Sequence, residues 1–339
     1  MKYALRYTVL LGMLILLTGN VQAAGTGTLS FSTNPRSPDL YLVDSTGQNL
    51  RRLVTDNLNK GSPTWSPDGR FFAYQSNDDG DPDIYVMDVR NKTSRQLTNH
   101  PDRDLSPAWS PNGRWIAFES DRTGDLHIYR IDVDGSNLMR LTKRGDNQNP
   151  AWSPDSQWIA YNSYQEGNRD AGIRGRQFLS VTTADGRKTR QLTEGLNMFG
   201  CTWSPDGKQI AFAAGKIEKE GINISVIDVN RRNRSALTEV GPNAWAGSPS
   251  WSPDGKWIAY FFKSLPVLDV DLGHGIRAID FWSGDNVICV ISPEGQNDAQ
   301  QLKATRGLSS SPVWVPDGFF PVSPQPQLLT TQWGEIKKE

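Results

Sequence analysis

Apolar and polar positions alternate along this chain in short runs separated by turn residues, and residues 106–142 show the basic unit. Ser106–Ser110 (Ser-Pro-Ala-Trp-Ser) reads as a short strand and Ser110-Pro111-Asn112-Gly113 as a turn. Pro fixes φ at the second turn position, Asn is tolerated at the third, and Gly takes a positive φ at the fourth. Trp115–Ser120 is an apolar strand, 121–125 a polar hairpin loop, and His127–Asp132 an alternating third strand. Asp134-Gly135 turns the chain into a fourth strand, Leu138–Thr142. Four antiparallel strands in about forty residues is the pattern of one propeller blade.

The unit recurs. Trp65, Trp109, Trp152, Trp203 and Trp251 each precede a Ser-Pro-Asp-Gly turn or its variant, and Trp314 precedes Val315-Pro316-Asp317-Gly318, at spacings of 44, 43, 51, 48 and 63 residues. Second strands recur as Phe71–Tyr74, Ile159–Tyr161, Ile210–Phe212 and Ile258–Tyr260, and third strands as Asp83–Asp88 and Asn223–Asp228. Fourth strands end in Leu97-Thr98, Leu141-Thr142, Leu192-Thr193 and Leu237-Thr238. The N-terminus supplies a second, third and fourth strand (29–31, 39–44, 50–55) with no Trp cassette, whereas Trp314 supplies a first strand with none after it. These complement each other. The expected fold is an all-β, six-bladed β-propeller of four-stranded antiparallel blades, closed by one C-terminal and three N-terminal strands, which removes exposed sheet edges.

Lys2 and Arg6 followed by the apolar run Tyr7–Thr18 and Val21-Gln22-Ala23 read as a signal peptide over 1–23, cleaved after Ala23. The run is short for a bilayer span, and no Cys follows it to carry a lipid. The propeller then occupies 24–318, and 319–339, with Pro321, Pro324 and Pro326, forms a tail. A periplasmic or secreted monomer without membrane insertion is expected. Lys plus Arg total 36 and Asp plus Glu 37, for a net charge of −1, so no nucleic-acid footprint is present. Cys201 and Cys289 fall on strands that are not neighbours in a blade and are expected to be free thiols.

The string Ser-Pro-x-Trp-Ser-Pro-Asp-Gly-x-x-Ile-Ala-Phe, followed by Ile-Tyr-x-x-Asp and Leu-Thr, resembles the WD40-like repeat of TolB-type propellers over about residues 29–318. The resemblance implies a periplasmic, non-enzymatic, protein-binding propeller. The α/β domain that precedes the propeller in TolB is not expected here, since five residues separate Ala23 from Leu29. The same repeat also occurs in gating propellers of serine peptidases and in propeller-fold pectic lyases.

Loops from strand four to the next strand one, and from strand two to three, emerge on one face; the Ser-Pro-Asp-Gly turns lie on the other. Two enlarged loops fall on the first face: 162–177, with Arg174 and Arg176, and 263–285, with His274 and Trp282. Long loops on a rigid scaffold commonly carry binding. Residues entering the innermost strands, among them Asn59, Arg103, Asp104, Asn147, Asn197, Phe199 and Trp245, are expected to ring the channel as a peptide or sugar cradle. The cassette Trp residues read as inter-blade core, and Asp68, Asp206 and Asp254 as turn chemistry.

Catalytic chemistry is sparse. His100, His127 and His274 sit in different units without paired metal-ligand spacing, and no Gly-x-Ser-x-Gly elbow or phosphate loop occurs. The acidic run 77–83 suggests Ca²⁺ but lacks the spacing of a dedicated calcium loop and is interrupted by Pro82, so no cofactor is expected. The favoured reading is a scaffold for a protein or peptide, with a glycan as a further ligand class. The alternatives are a metal-assisted polysaccharide lyase or hydrolase, for which His274 is the ligand to test, and an accessory module for a separately encoded partner.

Overall fold

The computed structural model describes residues 27–32, 40–54, 61–77, 80–166, 175–195, 197–217, 219–264, 267–271, 277–279, 286–294, 299–302, 305 and 310–316. The signal-peptide, tail, Asn59, Arg174, His274 and Trp282 expectations lie outside the described residues.

Every described element longer than a turn is a strand. The N-terminal strands are β1 (Thr28–Ser32), β2 (Leu40–Asp44) and β3 (Arg51–Val54). The first Trp unit is β4 (Gly61–Trp65), β5 (Phe71–Ser76), β6 (Asp83–Asp88) and β7 (Thr93–Gln96). The second is β8 (Asp104–Trp109), β9 (Trp115–Thr123), β10 (Asp125–Asp132) and β11 (Met139–Arg140). The third is β12 (Asp146–Trp152), β13 (Trp158–Gln165), β14 (Arg176–Thr183) and β15 (Thr189–Gly195). The fourth is β16 (Phe199–Trp203), β17 (Gln209–Lys216), β18 (Gly221–Asp228) and β19 (Arg234–Ala236). The fifth opens with β20 (Ala244–Trp251) and β21 (Ile258–Ser264), then inserts a hairpin, β22 (Val267–Asp271) with β23 (Arg277–Ile279), before β24 (Asn286–Ile291) and β25 (Gln300–Leu302). Last comes β26 (Ser310–Trp314).

The first three Trp units are separate sheets, and β26 pairs with β1 to form the sheet β26-β1-β2-β3, in which both ends of the chain share one blade. The fourth and fifth units form one larger sheet, joined by a single parallel pair, Ile222 with Trp245. The innermost strands contact one another in the order β4, β8, β12, β16, β20, β26 and back to β4, so they line a closed ring.

Recurring residues explain why the units fold alike. In each Ser-Pro-Asp-Gly turn the Ser hydroxyl donates to the Asp carboxylate (Ser66 Oγ to Asp68 Oδ1, 2.6 Å) and accepts the N–H of the second strand's start (Phe71 N, 2.9 Å). The bond from Ser66 holds the Asp68 carboxyl below the usual carboxylate range, and that from Ser204 does the same for Asp206. The Leu of each Leu-Thr pair is core, as at Leu97 and Leu141, and in three of the four pairs the Thr hydroxyl accepts a third-strand N–H (Ile84 N to Thr98 Oγ1, 3.0 Å; Ile128 N to Thr142 Oγ1, 2.9 Å; Ile224 N to Thr238 Oγ1, 2.9 Å). Cassette indoles tie neighbouring units: Trp152 Nε1 donates to Ala108 O (3.0 Å), Trp203 Nε1 to Ala151 O (3.1 Å) and Trp314 Nε1 to Ser250 O (2.9 Å). Trp65 Nε1 reaches Ser30 Oγ, which itself donates to Val313 O, across the sheet that holds both chain ends.

Candidate functional site

Five of the six innermost strands, β8, β12, β16, β20 and β26, are broken three residues before their Trp. Ser106, Asn149, Gly200, Ser248 and Ser311 all have φ between 47° and 56°, and the pairing with the second strand shifts register there. The reason is in the repeat. At four of the five described positions the next residue is Pro, which has no N–H for the ladder, and Pro inside a sheet is confined to edges and bulges. The bulge turns a backbone N–H toward the neighbouring unit. Gln75 Oε1 accepts from Ser106 N (2.9 Å), and Glu119 accepts from Asn149 N through Oε2 (2.9 Å) and from Ser106 Oγ through Oε1 (2.9 Å). Burial pushes the Glu119 carboxyl above its ordinary range. Gln75 and Glu119 occupy one register position on successive second strands, and Asn162 occupies it in the third unit. There, both side-chain polar atoms of the buried Asn162 lack a partner among the described residues.

The residues expected to ring the channel separate into two groups. Asp104 is fully buried and takes both oxygens to Arg122 (2.8 and 2.7 Å). Asn147 is 1% exposed and spends its amide on Arg144 O (3.0 Å) and Gly145 O (2.7 Å). Neither is offered to a ligand; both lock the loops that enter the innermost strands, because polar groups at those positions must satisfy a turning backbone. Arg103 is exposed but paired with Asp121 at 2.7 Å, and Arg176 is exposed with Glu194 at 3.6 Å. Asn197 is exposed, holds φ 47° and donates to Gly215 O.

The aromatic members come together. Phe199, at the start of β16, is 37% exposed, and its ring lies 5.1 Å from Trp245 at the start of β20. Trp245 continues edge-on to Phe261 of β21 at 5.4 Å. Trp245 is half-buried and packs against the fourth–fifth unit core, so this non-cassette Trp has a packing role as well as an open edge. Gly247 makes the cluster fit: a Cβ there would stand 2.6 Å from Trp245 Nε1 and 2.7 Å from the Phe261 ring. The inserted β22–β23 hairpin follows β21 directly, on the same face. Phe261 and the bulge ring escape a sequence reading that looks for titratable groups. The Ser-Pro step within Ser-Pro-x-Trp was the available signal for the bulges.

Reactive groups are muted. Burial pushes the free Cys201 thiol up to about 12 and the free Cys289 thiol to about 11, so neither is a thiolate nucleophile. His127 is 2% exposed between Arg140 and Thr142, and burial lowers its pKa. Among the described residues no group of three or more His, Cys, Asp or Glu converges as a metal site, and no helix is long and apolar enough to cross a membrane.

The model of the TolB beta propeller domain matches residues 8–253, more than half the chain. The chain belongs to the TolB beta-propeller family. No curated protein matches it in sequence. Its fold is similar to TolB from Acinetobacter baumannii (22% identity, TM-score 0.63, 86% of this chain and 67% of that one). It is also similar to a putative TolB from Agrobacterium tumefaciens (18%, 0.59, 82% and 88%). An oligogalacturonate lyase in complex with manganese is similar at a lower level (14%, 0.52, 82% and 74%). At these identities the likeness extends to the TolB-type fold alone.

Proposed function

We propose that this TolB-family propeller is an exported, non-enzymatic scaffold that holds a protein or peptide at the channel mouth in the cell envelope. The observation that carries this reading is the Phe199–Trp245–Phe261 cluster, an exposed ring backed by a half-buried indole where two innermost strands begin. A stepped aromatic surface on a rigid sheet gives large contact area with little entropy to lose on binding, the composition of an interface hot spot. The signal-peptide pattern of residues 1–23 supports export. The lyase reading draws on a shared fold, and folds of this kind host many functions.

The test is capture from an envelope fraction. Immobilised wild-type protein should retain a defined partner, and Phe199→Ala should lose about tenfold or more in retention. Leu138→Ala, which removes a 46% exposed apolar side chain remote from the channel mouth, should not. Equal retention by both variants would overturn the assignment of the site.

A further inference from the structure

On the opposite face, between the third and fourth units, the turns 153–155 and 205–207 border a cavity of about 460 Å³. Its walls include Trp158 and Trp203, with Val181 and Val229 at the base. The same space is filled in the two preceding interfaces. Phe71 stacks on Trp109 (6.4 Å, 20°), and Trp115 stacks on Trp152 (5.7 Å, 18°) under the Arg130 guanidinium, 4.6 Å from the Trp115 ring. Arginines also tether those interfaces. Arg95 donates to Val133 O, and Arg130 donates to Ala184 O at 2.9 Å. In the third unit Val181 stands at the register position of Arg130, as Val86 does in the first, so the arginine that lies over Trp115 has no counterpart over Trp158. Arg190 stands at that of Arg95, yet it lines the cavity without making the corresponding bond to Val229, and its buried Nε has no partner among the described residues.

We infer that this cavity is a binding site for a neutral pyranose sugar. Indole walls accept the apolar C–H face of a sugar ring, while the unengaged Arg190 donates to a hydroxyl and Asp155, Asp206 and Asn230 at the rim accept or donate to others. Asp206 is paired with Lys208 at 3.3 Å, so with Asp155 and Arg190 the rim carries no excess positive charge to hold an anionic ligand, and a purely apolar ligand would leave the buried Nε unpaired. The volume lies within the range of small-molecule sites, about 300–1,000 Å³. The site is separate from the channel mouth and does not depend on the reading given to it.

Saturation-transfer NMR and calorimetry on the full chain, with glucose and N-acetylglucosamine as probes and galacturonate as the anionic control, test this. Saturable millimolar binding of a neutral sugar is expected. Arg190→Met should weaken it about tenfold or more, as should Val181→Met, which fills the cavity without adding charge. Phe199→Ala should leave it unchanged, which separates this site from the channel mouth. Absence of saturable binding to wild type at tens of millimolar sugar would overturn the proposal. So would tighter binding of galacturonate, or equal affinity in both cavity variants when their melting curves match wild type.

Discussion

The position shared by Gln75, Glu119 and Asn162 allows a reciprocal test of how the innermost strands are held. A Gln or Glu side chain spans the gap to the next unit's bulge, as the 2.9 Å bonds to Ser106 N and Asn149 N show. Asn162 is one methylene shorter, and both of its polar ends are buried without a partner among the described residues. A buried unsatisfied polar group costs about 1–3 kcal/mol, and a completed hydrogen bond returns about 0.5–1.5 kcal/mol net. Asn162→Gln should therefore stabilise the protein by about 1–2 kcal/mol once the added side-chain entropy is counted. Gln75→Asn, which recreates the short reach against Ser106 N, should destabilise by about 1–3 kcal/mol. Urea titration monitored by Trp fluorescence gives both values if the slopes match wild type. The reasoning fails if both substitutions move stability in the same direction, or if Gln75→Asn is neutral.

Glu119→Gln keeps an acceptor for Asn149 N and removes a desolvated charge. Burial makes the folded carboxyl titrate above its ordinary value of 4.5, so the folded state binds more protons than the unfolded one above that pH, and wild type loses stability as pH rises through the window. The Gln variant should equal or exceed wild type at pH 7, with its advantage shrinking as pH falls toward 4.5; denaturant midpoints across that range would contradict this if the difference stayed constant. Trp152→Phe should cost about 1 kcal/mol more than Trp109→Phe, because Trp152 Nε1 bonds Ala108 O whereas the Trp109 indole nitrogen is buried without a described partner. Equal costs in chemical denaturation would remove the indole bond as the cause. Gly247→Ala should displace Trp245 or Phe261, seen as a change in near-ultraviolet circular dichroism with far-ultraviolet signal retained; an unchanged aromatic spectrum would count against the close approach.

The fold was legible because its determinants are local and repeated. A Ser-Pro-Asp-Gly turn satisfies its own hydrogen bonds within five residues, and a Leu-Thr pair delivers one core side chain and one acceptor, so each copy states the same structure independently. The pairing of β26 with β1 was legible for a related reason: a lone first strand and three orphan strands fit only each other. The site was less legible. Asp104 and Asn147 look like channel-facing polar residues, but their partners, Arg122 and the carbonyls of Arg144 and Gly145, are fixed by loop geometry that spacing does not encode. Phe199 and Trp245 lie 46 positions apart, and nothing in either local sequence states that their rings meet.

Near-identical repeats make their differences informative, since each interface serves as a control for the next. Between the first and second units, and again between the second and third, three ties recur: an amide or carboxylate on a bulge N–H, an aromatic pair on the turn face, and an arginine on a backbone carbonyl. Between the third and fourth units the indole bond of Trp203 to Ala151 O persists, but the other ties do not recur. Asn162 falls short, Trp158 and Trp203 border a cavity, and Arg190 lines that cavity instead of repeating the Arg95 bond to the next unit's carbonyl. An unmet polar group such as Asn162 is not expected of a fold that gains stability by repeating its contacts, because it costs energy that a single substitution could recover. Phe199 begins β16 of the same fourth unit, but its ring meets Trp245 of the fifth. The two candidate surfaces of this propeller thus lie at different seams, the cavity between its third and fourth units and the aromatic cluster between its fourth and fifth, and a ligand in the cavity would supply a partner that Arg190 Nε lacks among the described residues.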